Sequence, residues 1–218
     1  MATYASGPQQ RVVIPRSSVR GVVLAGGDST RFDDGDKALA DLHGRPLLGH
    51  VVDTVAEATT APPLLAVSRA GEGDRLSAAL ERSPEPVVDV TDRAGPLAGL
   101  FAAVAAADRP WLFVCGCDMP LVSVEGIDAL RTAGDPDDDA VVPTVDGHPQ
   151  PLFGLYRRDA VSAVAGAVPE TGGPMALLDV LAGPQYVPAA SLDAPVERDA
   201  TNVNTRAELA GLADRRDD

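Results

Sequence analysis

The sequence predicts a single α/β domain: a doubly wound, mostly parallel sheet with helices on both faces. Three observations carry that prediction. Short unbroken apolar runs recur along the chain, as strands buried on both sides require. They alternate with longer stretches of helical periodicity, the grammar of a parallel sheet with crossover helices. Glycine-rich or acidic punctuation follows the first, third and fourth strands, where open sheets of this kind bind ligands. At 218 residues, 45% hydrophobic, the chain has material for one sizeable core.

Taken in order, residues 1–19, with "SGPQQ" and "PRSS", read as a polar, flexible leader, residues 20–213 as the domain and 214–218 as a polar tail. "RGVVLAGG" is a buried strand running into paired glycines. "RPLLGHVVDTVAEA" is helical, with Pro46 suited to the first turn and apolar residues at 47, 48, 51, 52 and 55. "PLLAVS" is the second strand and "GDRLSAALERS" the next helix. "EPVVDV" is the third strand, "GPLAGLFAAVAAA" a helix with Pro96 near its start, and "PWLFVCGCD" the fourth strand. Beyond it, "VEGIDALRTAG" is helical, "DAVVPTV" and "QPLFGLYRR" are strands, "DAVSAVAGAV" and "GPMALLDVLAG" helices, and "QYVPAA" and "ATNVNTRAELAGLADRR" close the chain. The acidic "DPDDD" at 135–139 reads as a solvated turn.

Composition excludes several functions. A net charge of −14 leaves no basic surface to replace phosphate counterions, so nucleic acid is not an expected partner. Nothing approaches the apolar length of a membrane span, and the N-terminus lacks the pattern of a secretory signal; a cytoplasmic, membrane-free protein is expected. Cys115 and Cys117 are too close for a structural disulfide and too few for a zinc site, and read as buried free thiols. Acidic surplus and arginine in place of lysine suggest a surface adapted to high salt, as in a halophile. Self-repulsion should then destabilise the fold at low ionic strength. The melting temperature is expected to rise between low and molar potassium chloride, and a flat response would overturn the salt reading.

Against that background one residue stands out. Lys37 is the single lysine among 18 basic residues, and it follows the glycine-rich turn in "LAGGDSTRFDDGDKAL". The three spaced glycines of a dinucleotide loop are absent, and so is the Gly-Lys-Ser/Thr ending of a phosphate loop. What remains is a long loop with backbone N–H groups at Gly26-Gly27, Arg31 in the middle and Lys37 at its end. Such an array can line a polyphosphate and neutralise charge that moves during reaction. Gly26-Gly27 alone would equally be an ordinary turn; Arg31 and the lone lysine give the loop its chemistry. Asp118, directly after a buried strand, is placed to offer a carboxylate to a hard cation such as magnesium, which takes few protein ligands. His43, His50 and His148 read as surface or hinge residues, with His148 in "DGHPQPLFG" the most plausible exception.

"LAGGDSTRF…DKAL", "GPLAGL", "CDMPLV", "QPLFGLY" and "NVNT" stand in the order and spacing of the molybdenum cofactor guanylyltransferases, which this chain resembles from about Gly21 to about Leu209. The resemblance implies a nucleotidyltransferase, Rossmann-like fold and transfer of GMP from GTP to the terminal phosphate of molybdopterin, with pyrophosphate released and Mg2+ as cofactor. It implies that the backbone of Leu24, Ala25, Gly26 and Gly27 holds guanine or ribose. Lys37 and Arg31 would meet the phosphates, Asp89 the nucleoside and Asp118 the metal, making Lys37, Arg31 and Asp118 the catalytic set. Residues 148–156 and Asn202–Asn204 would seat the acceptor or shape the far wall. Other molybdenum cofactor biosynthesis proteins or acceptor apo-enzymes would be the protein partners. The chain departs from the pattern in carrying Phe32 and the carboxylates Asp33 and Asp34, which must face solvent to avoid repelling a triphosphate. Asp92 lies three residues beyond Asp89, and either could make the nucleoside contact. Three readings follow: this enzyme; the same chemistry with another base or acceptor (molybdopterin cytidylyltransferase, corrinoid or phospholactate guanylyltransferase); or a non-catalytic nucleotide-binding regulator, which would leave Asp118 without a purpose.

Overall fold

The structure is a computed structural model that describes residues 12–26, 36–88, 93 and 95–214. A turn of 3-10 helix at Arg16–Ser18 leads into β1 (Val19–Leu24), and a second at Lys37–Leu39 into a small hairpin, β2 (Asp41–Leu42) and β3 (Arg45–Pro46). Then come α1 (Leu47–Thr59), β4 (Leu64–Val67), α2 (Glu72–Ser77), β5 (Glu85–Val88), α3 (Pro96–Ala106), β6 (Trp111–Gly116) and α4 (Val124–Ala133). The second half holds β7 (Ala140–Val145), β8 (His148–Pro149), β9 (Phe153–Arg157), α5 (Arg158–Val164), α6 (Pro174–Val180), β10 (Pro184–Pro188), α7 (Val196–Asp199) and α8 (Arg206–Ala213).

The main sheet runs β10-β7-β9-β6-β1-β4-β5, with β8 paired to β7. β1 is parallel to β4 and to β6, β4 to β5, and β7 to β10. β9 alone of the long strands is reversed, antiparallel to both β6 and β7. Its direction follows from its connection: β7 turns through Asp146-Gly147, both at positive φ (50° and 78°), into β8. That is the two-residue hairpin geometry, and with no crossover helix the chain must return antiparallel.

Alternation along the strands divides the core into two layers. Val19, Val23, Leu65, Phe113 and Phe153 face α1, α2 and α4. Val22, Leu24, Leu64, Leu112, Val114 and Tyr156 face α3, α5 and α6. All six residues of β1 and all six of β6 are buried, as central strands covered on both sides should be. Gly21 lets α1 settle onto β1, since a Cβ there would lie 2.2 Å from Val55 Cγ1. The edge strands β5 and β10 carry Pro86, and Pro184 and Pro188, where a missing N–H costs no central ladder bond and discourages edge pairing.

Three expectations need correction, and one short helix carries no signal in the sequence. The end of the supposed flexible leader is packed: Ile14 is fully buried, its N–H donates to the Arg131 carbonyl at 3.3 Å, and Arg16 pairs with Asp128. The reason is apolar contact, for Ile14 Cδ1 fills the space over Gly134. The acidic stretch at 135–139 is not solvated throughout. Asp139 is buried, paired with Arg157, and accepts from the N–H groups of Ala182 and Gly183 at 3.0 and 2.9 Å. Burial opposes its charge, but these bonds outweigh it and hold the carboxyl below its usual range. Pro46 sits at the N-cap of α1 rather than in its first turn, whereas Pro96 does begin α3. Helix α7 was not foreseen, because four residues are too short for a periodic signal.

Candidate active site

Strand register builds one rim. Leu24 lies beside Ala66 of β4 and Gly116 of β6, so β4, β1 and β6 end at the same level. Cys115 pairs with Phe153, which brings the start of the reversed β9, and the segment before it, to that edge. The strand ends that precede the expected first and fourth loops therefore lie along one edge, at the carboxyl ends of the parallel strands.

Three sequence-distant groups meet there. Lys37 Nζ donates to Asp118 Oδ2 at 2.8 Å and to Asn204 Oδ1 at 3.0 Å. The lysine side chain is only 14% exposed and that of Asp118 25%, so the ion pair is sheltered without being sealed from water. Each member is held by its own backbone. Asp36 caps the 3-10 turn that carries Lys37, accepting from Ala38 N at 3.1 Å, and it also pairs with Arg75 of α2. Asp118 follows β6, its carbonyl accepts from Val203 N at 2.8 Å, and the neighbouring Cys117 N donates to Leu24 O at 3.0 Å. A Cβ at Gly116 would lie 2.3 Å from Asp118 Oδ1, so glycine is what allows the carboxylate to fold back over the strand end. Asn204 precedes the capping box of α8, in which Thr205 and Glu208 cap each other's backbone.

The resemblance gives Asn204 a part in seating the acceptor or shaping the far wall; the structure sets its side-chain oxygen on the Lys37 ammonium. Asp36 was missed, although an Asp immediately before a short turn is a recognisable capping signal. Leu24, Ala25 and Gly26 do lie at the rim. However, the Ala25 N–H is engaged by the Ala66 carbonyl at 2.8 Å, which narrows the backbone donors left for a nucleoside. Gly26 passes close over the end of β4, where a Cβ would come within 2.5 Å of Ser68 Oγ. Gly27, Arg31, Phe32, Asp33, Asp34, Asp89 and Asp92 lie outside the described residues. Beside the last two, Arg93 donates to the carbonyls of Val168 and Pro169 at 3.0 and 2.7 Å and lies 5.3 Å over the Phe101 ring. That side chain ties the segment after β5 to the one after α5.

The thiols take no part in this chemistry. Burial, and then the charge of Asp118, pushes Cys117 up to about 12, and burial raises Cys115 further. Both are free. His43 sits exposed in the β2–β3 turn at φ 55°, His50 Nε2 contacts the Leu42 carbonyl at 2.9 Å, and His148 is exposed on β8. Among the described residues no group of three or more His, Cys, Asp or Glu could cage a metal. One hard carboxylate at the rim nevertheless fits magnesium, which keeps most of its waters and takes substrate phosphate oxygens.

A second staple joins α7 to the start of α4. The Asp199 carboxylate, with no exposed side-chain surface, accepts from Ser123 N at 3.1 Å and from Ser123 Oγ, at the start of α4. Burial raises its pKa above the usual carboxylate value, and the bonds from Ser123 and Arg198 offset this only in part. Replacing it by alanine strands those donors and should cost about 1–3 kcal/mol. At this size that is a fall of roughly 2–4 °C in melting temperature per kcal/mol. Asp199→Asn, which keeps an acceptor, should melt close to the parent; an Asp199→Ala protein that melts within a degree of it would show the staple to be idle.

Residues 21–187 match the model of the MobA-like NTP transferase domain. The chain belongs to that family. A molybdenum cofactor guanylyltransferase from Burkholderia vietnamiensis is 34% identical over 204 residues that cover 91% of this chain and 97% of that protein. A probable molybdenum cofactor guanylyltransferase from Bacillus licheniformis is 35% identical over 143 residues, 66% of this chain and 70% of the relative. The crystal structure of molybdopterin-guanine dinucleotide biosynthesis protein A from Archaeoglobus fulgidus superposes with a TM-score of 0.74 at 24% identity, over 89% of this chain and 97% of that one. The mostly parallel, doubly covered sheet is thus the nucleotidyltransferase fold, and the chain is a nucleotidyltransferase.

Proposed function

We propose that this protein transfers GMP from GTP to molybdopterin, giving the guanine dinucleotide form of the cofactor and pyrophosphate. The observation that carries the reading is the Lys37–Asp118–Asn204 cluster at the rim of β1 and β6. The names of the relatives support the choice of base and acceptor. In the reaction an oxygen of the acceptor's terminal phosphate attacks the α-phosphorus of GTP. A P–O bond forms to the acceptor, the bond to the α,β-bridging oxygen breaks, and pyrophosphate leaves with that electron pair.

The acceptor phosphate is already ionised near neutral pH, so no serine–histidine pair is needed to generate a nucleophile. The work is positioning and charge stabilisation. Lys37 follows the phosphates as charge moves toward the leaving group, with Arg31 as a second cation. Asp118 would hold Mg2+, which would supply neutralisation of the polyphosphate. Asn204 orients the Lys37 ammonium. Leu24 through Gly27 and Asp89 contact the nucleoside, and residues 148–156 with Asn202 seat the acceptor. A cytoplasmic site of action, a surface adapted to high salt, and hand-over to other molybdenum cofactor biosynthesis proteins or acceptor apo-enzymes belong to the same proposal. No helix among the described residues is long and apolar enough to cross a membrane.

The test is incubation with GTP, magnesium and molybdopterin while pyrophosphate is followed, with CTP, ATP and UTP in parallel. Release with GTP alone is expected. Release with CTP alone would reassign the base, and GTP binding with no release would point to another acceptor or a regulatory role.

A further inference from the structure

We propose that Lys37 is the internal counter-ion of Asp118, so that the metal and the triphosphate are taken up together and neither binds well alone. The inference rests on the assignment of Asp118 as the metal carboxylate. One oxygen of that carboxylate is hydrogen-bonded in the structure, and the other lies close over the strand end. Oδ2 accepts from the Lys37 ammonium at 2.8 Å, and Oδ1 is turned back over Gly116, where only the lack of a Cβ gives it room. The ammonium is itself anchored by Asn204 Oδ1 at 3.0 Å, and its backbone by the Asp36 cap. The pair is therefore built into the fold rather than being a chance contact of two flexible chains.

A divalent cation arriving alone at Asp118 meets a carboxylate already neutralised, with a positive charge at hydrogen-bond distance from it. No group of three or more potential ligands among the described residues compensates for that repulsion. A triphosphate changes the balance. It offers the ammonium several anionic oxygens, and the flexible lysine stem can swing to them while Asn204 and the turn keep it in place. The carboxylate is then released to the cation, which also gains phosphate ligands. By linkage, whatever factor the nucleotide contributes to metal affinity the metal returns to nucleotide affinity. Empty, the site is an internally neutral pair; loaded, each member exchanges its partner for one from the substrate complex.

The test is titration of Mn2+, read by its electron paramagnetic resonance signal, into the full-length parent, Lys37→Met, Lys37→Arg and Asp118→Asn. Each is titrated with and without a GTP analogue carrying a methylene between the α- and β-phosphates. In the parent, the analogue should tighten Mn2+ by roughly 10- to 100-fold, the ordinary range for coupled sites. Lys37→Met should bind Mn2+ alone more tightly than the parent by a similar factor and lose most of the coupling. Lys37→Arg, which keeps the positive charge, should stay as weak as the parent towards Mn2+ alone. Equal Mn2+ affinity of parent and Lys37→Met without the analogue, with coupling intact in both, overturns the proposal while leaving Asp118 as metal ligand. Undiminished Mn2+ binding by Asp118→Asn overturns the metal assignment itself, and the proposal with it.

Discussion

Lys37→Ala is expected to lower turnover by about 100- to 1000-fold, the effect of removing one preorganised charge contact from a transferring phosphoryl group. The lysine sits 14% exposed at the rim, with its ammonium already aimed by Asp118 and Asn204. When a triphosphate arrives the ammonium exchanges its Asp118 contact for phosphate oxygens, with Asn204 beside it. Lys37→Arg should also lose much of the activity although it keeps the charge. A guanidinium is a planar fork that favours fixed bidentate partners, whereas an ammonium is a compact point charge that can follow a shifting phosphate. All 17 other basic residues are arginine, and only this position is lysine. Both variants should melt within a few degrees of the parent, because Asp118, a quarter exposed, can be hydrated when its partner is removed. Parental rates for Lys37→Arg would reduce the role of residue 37 to charge alone; parental rates for Lys37→Ala would remove it from the phosphate site.

Asp118→Asn is expected to cut pyrophosphate release as deeply, for a different reason. The amide keeps the shape of the side chain and one acceptor oxygen, so the Lys37 contact and the turn over Gly116 can persist. What disappears is the single negative charge offered to magnesium at the phosphates. The loss should therefore fall on the chemical step and on metal dependence, with the melting temperature nearly unchanged. Full activity at saturating magnesium would take Asp118 out of the metal site.

These three variants probe a cluster whose members are each marked in the sequence, but whose meeting is not. The lysine was singled out by composition, the aspartate by its position after an apolar run, and Asn204 by the family resemblance. Nothing local paired them. The resemblance gives Asn202–Asn204 to the acceptor or the far wall, and no periodic signal in so distant a segment connects Asn204 to Lys37.

The sequence alone determined the order and kind of the principal elements. Burial pattern is a local property: β1 and β6 read as apolar runs because both faces of a central strand are covered, and α3 begins at a proline preceded by glycine. It also marked the chemistry at the strand ends. Tertiary structure decided the rest. The reversal of β9 follows from a hairpin in place of a crossover, and the burial of Ile14 and Asp139 depends on what lies across the fold from them. The contacts of Lys37 with Asp118 and Asn204, 81 and 167 residues away, exist because strand order and register align the ends of β1 and β6, and the Val203 N–H holds the last segment to Asp118. Local periodicity carries the direction each side chain faces but not which strands become neighbours. That choice is made by packing the whole sheet at once.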